Sequence, residues 1–89
     1  MAIVHFTSHL LSFVNCEPVE VGGETVGAAL AAVFTGRDQL RTYILDDQGR
    51  LRRHVMIFVD GQMIADRLGL SDAVNSNSEI YVMQALSGG

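Results

Sequence analysis

The sequence predicts an α+β fold: a mixed sheet with one main helix covering one of its faces. Three observations predict it. Two strand-like segments fall within the first 21 residues. A helix-period segment follows at 26–34, and three further strand-like segments lie between 51 and 84. Strands and helix in separate runs, rather than in regular alternation, segregate the helix to one side of a sheet.

Residues Ile3 to Thr7 read as the first strand. Ser8 to Cys16 is apolar but lacks clean alternation, and reads as a loop packed on the body. Glu17 to Val21 reads as a second strand, stopped by Gly22-Gly23. Two strands so close in sequence predict an antiparallel hairpin with a long turn.

Thr25 is a good N-cap, because its hydroxyl accepts a bond from an amide that the first helical turn leaves unpaired. Val26, Leu30, Val33 and Phe34 then fall on one helical face. The small residues between them permit close packing on a sheet, and Gly36 suits the helix end. A second short turn is expected over Asp38 to Tyr43. Asp46-Asp47-Gln48-Gly49 reads as a turn and Leu51 to Val59 as a strand, with Val55, Ile57 and Val59 on one face.

Asp60-Gly61 is a strong hairpin signal, and Gln62 to Ile64 a short return strand. Ala65 to Ser78 reads mostly as loop, with Asn75-Ser76-Asn77-Ser78 as a polar turn. Glu79 to Gln84 is the last strand. Placing it beside the first closes a compact mixed sheet, the β-grasp layout seen in ubiquitin.

A chain of 89 residues implies one domain with a modest core. The expected division is a body over 1–84 and a flexible tail over 85–89. The content is 48% hydrophobic and 18% charged, which fits a globular chain. No apolar run reaches the ~20 residues of a membrane span, and the N-terminus lacks the pattern of a signal peptide. A cytoplasmic location is the expectation. The net charge of −4 argues against a phosphate backbone as the main partner. All six basic residues are Arg and none is Lys, which excludes side-chain isopeptide chains between copies. Cys16 is the only cysteine, so neither an internal disulfide nor a Cys-x-x-Cys motif exists.

Strand alternation puts Met56 and Phe58 opposite Val55, Ile57 and Val59, and Tyr81 and Met83 opposite Ile80 and Val82. If that set faces away from the helix, it makes an apolar patch suited to a partner. Packing of the loop Leu10 to Val14 over it is the alternative. Arg50, Arg52, Arg53 and His54 form a basic cluster, read as a solvated strand edge before a dock for an acidic partner. His5 and His9 hint at a metal, but zinc takes three or four ligands and only Cys16 is near them in sequence, so no metal site is expected; Cys16 has no context of a nucleophile. Asp46 and Asp47 read as turn residues rather than a catalytic pair.

The segment His54-Val55-Met56-Ile57-Phe58-Val59-Asp60-Gly61 resembles the central hairpin of the MoaD/ThiS family of ubiquitin-like sulfur carriers. Gly23 to Leu30 resembles that family's helix start, and Glu79 to Gly89 its last strand and Gly-Gly tail. The resemblance implies a carrier with no catalytic residue and no bound cofactor. An E1-like adenylyltransferase would use ATP to adenylate the Gly89 carboxylate. A sulfur donor protein would convert it to a thiocarboxylate, and a biosynthetic enzyme would accept the sulfur.

Gly88 and Gly89 suit a tail that threads a narrow site, because glycine has no Cβ. Met56, Phe58, Tyr81, Met83 and Leu86 would face the partner. The ending Gln84-Ala85-Leu86-Ser87-Gly88-Gly89 lacks the proline common in molybdopterin and thiamine carriers, and looks nearer to those of a cysteine-synthase route. Thiolated RNA and secondary metabolites are further possible acceptors. The alternatives are a protein modifier conjugated through Gly89 and a non-covalent ubiquitin-like interaction domain.

Overall fold

Strand alternation sorts this chain into a buried face and an open one. In the computed structural model, residues 1–6, 18–53 and 55–84 are described. Strand β1 is Ala2–Phe6, β2 Val19–Val21, β3 Val55–Val59, β4 Gln62–Met63 and β5 Glu79–Gln84. Helix α1 spans Val26–Phe34 and α2 spans Asp38–Ile44. The sheet order is β2-β1-β5-β3-β4. β1 and β5 run parallel, and the other neighbours are antiparallel. This is the mixed sheet expected, with the last strand beside the first.

Ala2, Val4 and Phe6 of β1, Val55 and Ile57 of β3, and Ile80 and Val82 of β5 are buried. Helix α1 packs on them with Val26, Ala29, Leu30, Val33 and Phe34, and α2 adds Leu40 and Ile44. Burial of each large aliphatic side chain contributes about 1.5–3 kcal/mol. The four apolar anchors expected on α1 are all buried, and Ala29 completes the face.

The start of α1 is held twice. Thr25 Oγ1 accepts from the Ala28 amide at 3.1 Å. The Val26 and Gly27 amides donate to the carbonyls of Asp72 and Leu70 at 2.9 and 2.8 Å. A Cβ on Gly27 would sit 3.2 Å from the Leu70 carbonyl oxygen, so this approach favours glycine. After the Thr35 cap, Gly36 turns the chain with φ +76°. Arg37 Nη1 donates to the Val33 carbonyl at 2.8 Å, satisfying an acceptor that the helix end leaves open.

Several boundaries differ from expectation. Strand β1 begins at Ala2, and Thr7 lies outside the described residues, as do the loop 8–16 and Glu17. Pro18 precedes β2 and has no amide to give a ladder. The turn expected over Asp38 to Tyr43 is a helix ending at Ile44.

The strand expected from Leu51 starts only at Val55. Leu51 makes one isolated bridge to Leu45. The Arg52 amide is taken by the Ile44 carbonyl at 3.0 Å, and the Arg52 carbonyl by the Val55 amide at 3.0 Å. These local bonds occupy the backbone before it can join the sheet. The return strand stops at Met63, although the Ile64 amide still donates to the Ile57 carbonyl at 3.0 Å.

Asp60 and Gly61 have φ of +50° and +86°, the two positive angles of a type I′ hairpin. The Asp60 carboxylate also accepts from the Glu79 amide at 2.9 Å and from the buried Ser78 hydroxyl at 3.1 Å. The hairpin is thereby fastened to the start of β5. In the loop between β4 and β5, Asp66 accepts from the amides of Leu68, Gly69 and Ser71 and from the Ser71 hydroxyl. The Ser71 hydroxyl, followed by the Gly69 amide, holds the Asp66 carboxyl below the usual carboxylate range. Among the described residues no helix is long and apolar enough to cross a membrane.

Thr25→Ala should cost about 1 kcal/mol of stability in urea unfolding, the usual worth of such a cap. Asp66→Asn should destabilise at neutral pH. The folded pKa of Asp66 is depressed, so its contribution is complete above the unfolded pKa and fades as pH falls through the folded one. Melting curves of the two proteins should therefore begin to converge only as pH falls below about 4.

Candidate functional site

The face opposite the helices carries the residues that alternate with the core. His5 of β1, Tyr81 of β5, Phe58 of β3 and Met63 of β4 are successive register partners, so they form one row across four strands. Met56 and Met83 pair in the next row. Met56, Phe58 and Met83 are half-buried, while Tyr81 and Met63 are 36% and 52% exposed.

Met56, Phe58, Tyr81 and Met83 thus come together as alternation implies. Leu86, Gly88 and Gly89 lie outside the described residues, and so does the loop Leu10 to Val14. The last described residue, Gln84, pairs with Val55, so the chain continues toward Gly89 from the β3 start.

Two members of the row are not evident from the sequence pattern. The Asp60-Gly61 turn pairs Phe58 with Met63, and a strict hairpin register is the signal that points to Met63. His5 has no such local signal, because its neighbour, β5, is distant in sequence. Its ring stacks on Tyr81 with centroids 4.4 Å apart and planes 9° from parallel. His5 Nε2 lies 3.2 Å from Glu79 Oε1. The stacking orders the Tyr81 ring against His5 and adds a polar margin to the apolar row.

The remaining candidates take different places. Arg50, Arg52 and Arg53 lie on the segment between α2 and β3, not on a strand edge, and Arg67 joins them from the loop after β4. His54 lies outside the described residues, as do His9 and Cys16. Among the described residues no group of three or more His, Cys, Asp or Glu side chains is placed to hold a metal. Asp46 caps its turn, accepting from the Gln48 and Arg50 amides at 2.9 Å each. The bond from the Arg50 amide is the main cause that lowers its pKa. Asp46 is thus a turn residue, as its Asp-Asp-Gln-Gly setting implies.

Known proteins share this architecture. Small archaeal modifier protein 1 (SAMP1) of Haloferax volcanii is 25% identical, with a TM-score of 0.78 over 99% of this chain and 98% of its own. A chain of the BexX/CysO complex from Amycolatopsis orientalis superposes over the full length of both chains with a TM-score of 0.82 at 19% identity. CysO of Mycobacterium tuberculosis gives 0.79 at 20% identity, over 97% of this chain and all of its own. A comparison with curated proteins gives no match. The ThiS family model matches residues 7–89, from just after β1 through the Gly88-Gly89 pair. The chain belongs to the ThiS family of ubiquitin-like sulfur carriers, built on the β-grasp fold.

Proposed function

We propose that this chain carries sulfur on the carboxylate of Gly89. The observation that carries the reading is the family match, which runs through Gly88-Gly89, separated by three residues from the end of β5. In this mechanism an E1-like enzyme binds ATP and the tail together. A carboxylate oxygen attacks the α-phosphorus, pyrophosphate leaves, and Gly89 becomes an acyl-adenylate. A sulfide then attacks the carbonyl carbon, the bond to AMP breaks, and a thiocarboxylate remains. With a protein persulfide as donor, a thiol releases the donor afterwards by disulfide exchange.

The chain supplies no catalytic group in these steps. A carboxylate is a poor electrophile, so the activating enzyme must hold it and ATP in one narrow site. Glycine at the last two positions keeps that passage free of side chains. The rest of the domain identifies the carrier. Met56, Phe58, Tyr81 and Met83, with Leu86 of the tail, form the docking surface for the activating enzyme. A partly exposed apolar patch beside the strand that leads to Gly89 supports that role.

The sulfur then passes to a biosynthetic enzyme. The CysO complex with BexX shows a protein of this fold bound to another protein, which supports docking of the same kind here. The tail without proline favours a cysteine-type or secondary-metabolite acceptor over the molybdopterin and thiamine routes. Protein modification is the second reading, supported by the likeness to small archaeal modifier protein 1. It would begin with the same adenylation and end on a target lysine.

Intact mass of protein recovered from its native host tests these readings. Replacement of one terminal oxygen by sulfur is expected for the carrier, whereas high-mass adducts cleavable at Gly89 would indicate the modifier. Deleting Gly89 should abolish function on either reading. Unchanged function in that variant would leave a non-covalent interaction domain. Phe58→Asp should weaken docking to the activating enzyme about tenfold or more, seen as a raised KM with an unchanged circular dichroism spectrum. Loss of the fold in that variant would make Phe58 a core residue instead.

A further inference from the structure

Four of the six arginines converge on one cleft. Arg50, Arg52, Arg53 and Arg67 line a depression of about 600 Å³ with Asp46, Leu51 and Leu68. The one carboxylate lining it, Asp46, is paired with Arg50 at 3.2 Å. The Arg52 and Arg67 side chains are held by neutral acceptors. Arg52 Nε donates to the Thr42 carbonyl at 2.7 Å. Arg67 Nη2 donates to the Arg52 carbonyl at 3.1 Å and the Arg53 carbonyl at 3.5 Å. These bonds position the guanidiniums without neutralising them. Four cations against one anion leave the cleft at +3 in a chain whose net charge is −4. The positive charge is therefore concentrated at one place in an acidic protein.

We infer that this cleft binds a short acidic segment of a protein partner, with an apolar side chain of that segment packing on Leu68. Leu68 is 74% exposed at the edge of the guanidiniums. An aliphatic contact beside forked donors suits a peptide of mixed carboxylate and leucine-like side chains. A nucleic acid suits it less well. Among the described residues no aromatic side chain lines the cleft to stack a base. The overall negative charge also opposes a long polyanion.

The cleft is placed to assist whatever handles the tail. Arg53 lies two positions before Val55, the register partner of Gln84. Gly89 is five residues beyond Gln84, within a reach of at most about 18 Å. A partner that holds the chain where it leaves β5 therefore meets it beside the segment that carries Arg53. That the partner is one of the sulfur-transfer enzymes rests on the carrier reading above, whereas the binding of an acidic segment does not.

The test uses the full chain, labelled with nitrogen-15, titrated with a blocked peptide of glutamates flanking one leucine. Amide shifts are expected at residues 46–53 and 67–68, fading as salt rises from about 50 to 500 mM. Replacing Arg50→Glu and Arg53→Glu together should lower the affinity at least about tenfold. Absence of clustered shifts in the wild-type chain would overturn the inference, whether or not the double variant folds. Equal affinity of a folded double variant would overturn it too. A single-stranded oligothymidylate that shifts the same amides more strongly than the peptide would make this a nucleic-acid surface instead. The readout does not involve Gly89, so failure of the thiocarboxylate test leaves it standing, and the reverse holds as well.

Discussion

The pairing of β1 with β5 is the constraint on which the rest of the molecule depends. Ile3 to Phe6 lie beside Glu79 to Val82 in a parallel ladder. Parallel neighbours cannot be joined by a tight turn, so a crossover must link them. Here everything from β2 to the loop before β5 lies between the two strands. The ladder gathers residues from the two ends of the chain, as in the His5–Glu79 contact across 74 positions. Closing so long a loop costs entropy, which local bonds cannot offset before the core forms. Val4, Ile80 and Val82, all fully buried at this ladder, supply the apolar contacts that reward it.

Both faces of the sheet follow from that ladder. One face receives α1, whose first turn is bonded to the Leu70–Asp72 backbone as well as to Thr25. The other face inherits the alternate residues, and the row His5, Tyr81, Phe58, Met63 results from register alone. Among the described residues this face is half apolar and partly exposed. On the proposed carrier role, the activating enzyme would recognise the body and act on the Gly89 carboxylate. The proposed role of the arginine cleft fits the same division, because charge beside the strand that leads to the tail would help select a partner apart from the Gly89 carboxylate.

Much of the site is legible in the residue order. Alternation alone puts Met56 and Phe58 on the same side as Tyr81 and Met83, because a half-buried strand has a strict period of two. The Asp60-Gly61 turn is equally plain, since both residues tolerate the positive angles of a tight hairpin. The arginine cluster is only half legible. Arg50, Arg52 and Arg53 are close neighbours in sequence, but Arg67 reaches them by a fold-back that no local pattern encodes. A strand is the wrong expectation for the first three because the apolar run of Val55 to Val59 does not reach back through Arg52 and Arg53. The Ile44 carbonyl captures the Arg52 amide first, a competition invisible without α2 in position.

By itself the sequence determined the main helix and its cap, the existence of the five strands, the hairpin and the two sides of each strand. It did so because these follow from short-range sterics, hydrogen bonding and periodicity. The Gly88-Gly89 ending is legible on the same local grounds. Tertiary structure alone decided that His5 stacks on Tyr81 and that Arg67 completes a cleft with residues 50–53. Each of those contacts joins segments whose meeting depends on strand order. Strand order is set by how the whole apolar surface is buried together, a quantity that no local window contains.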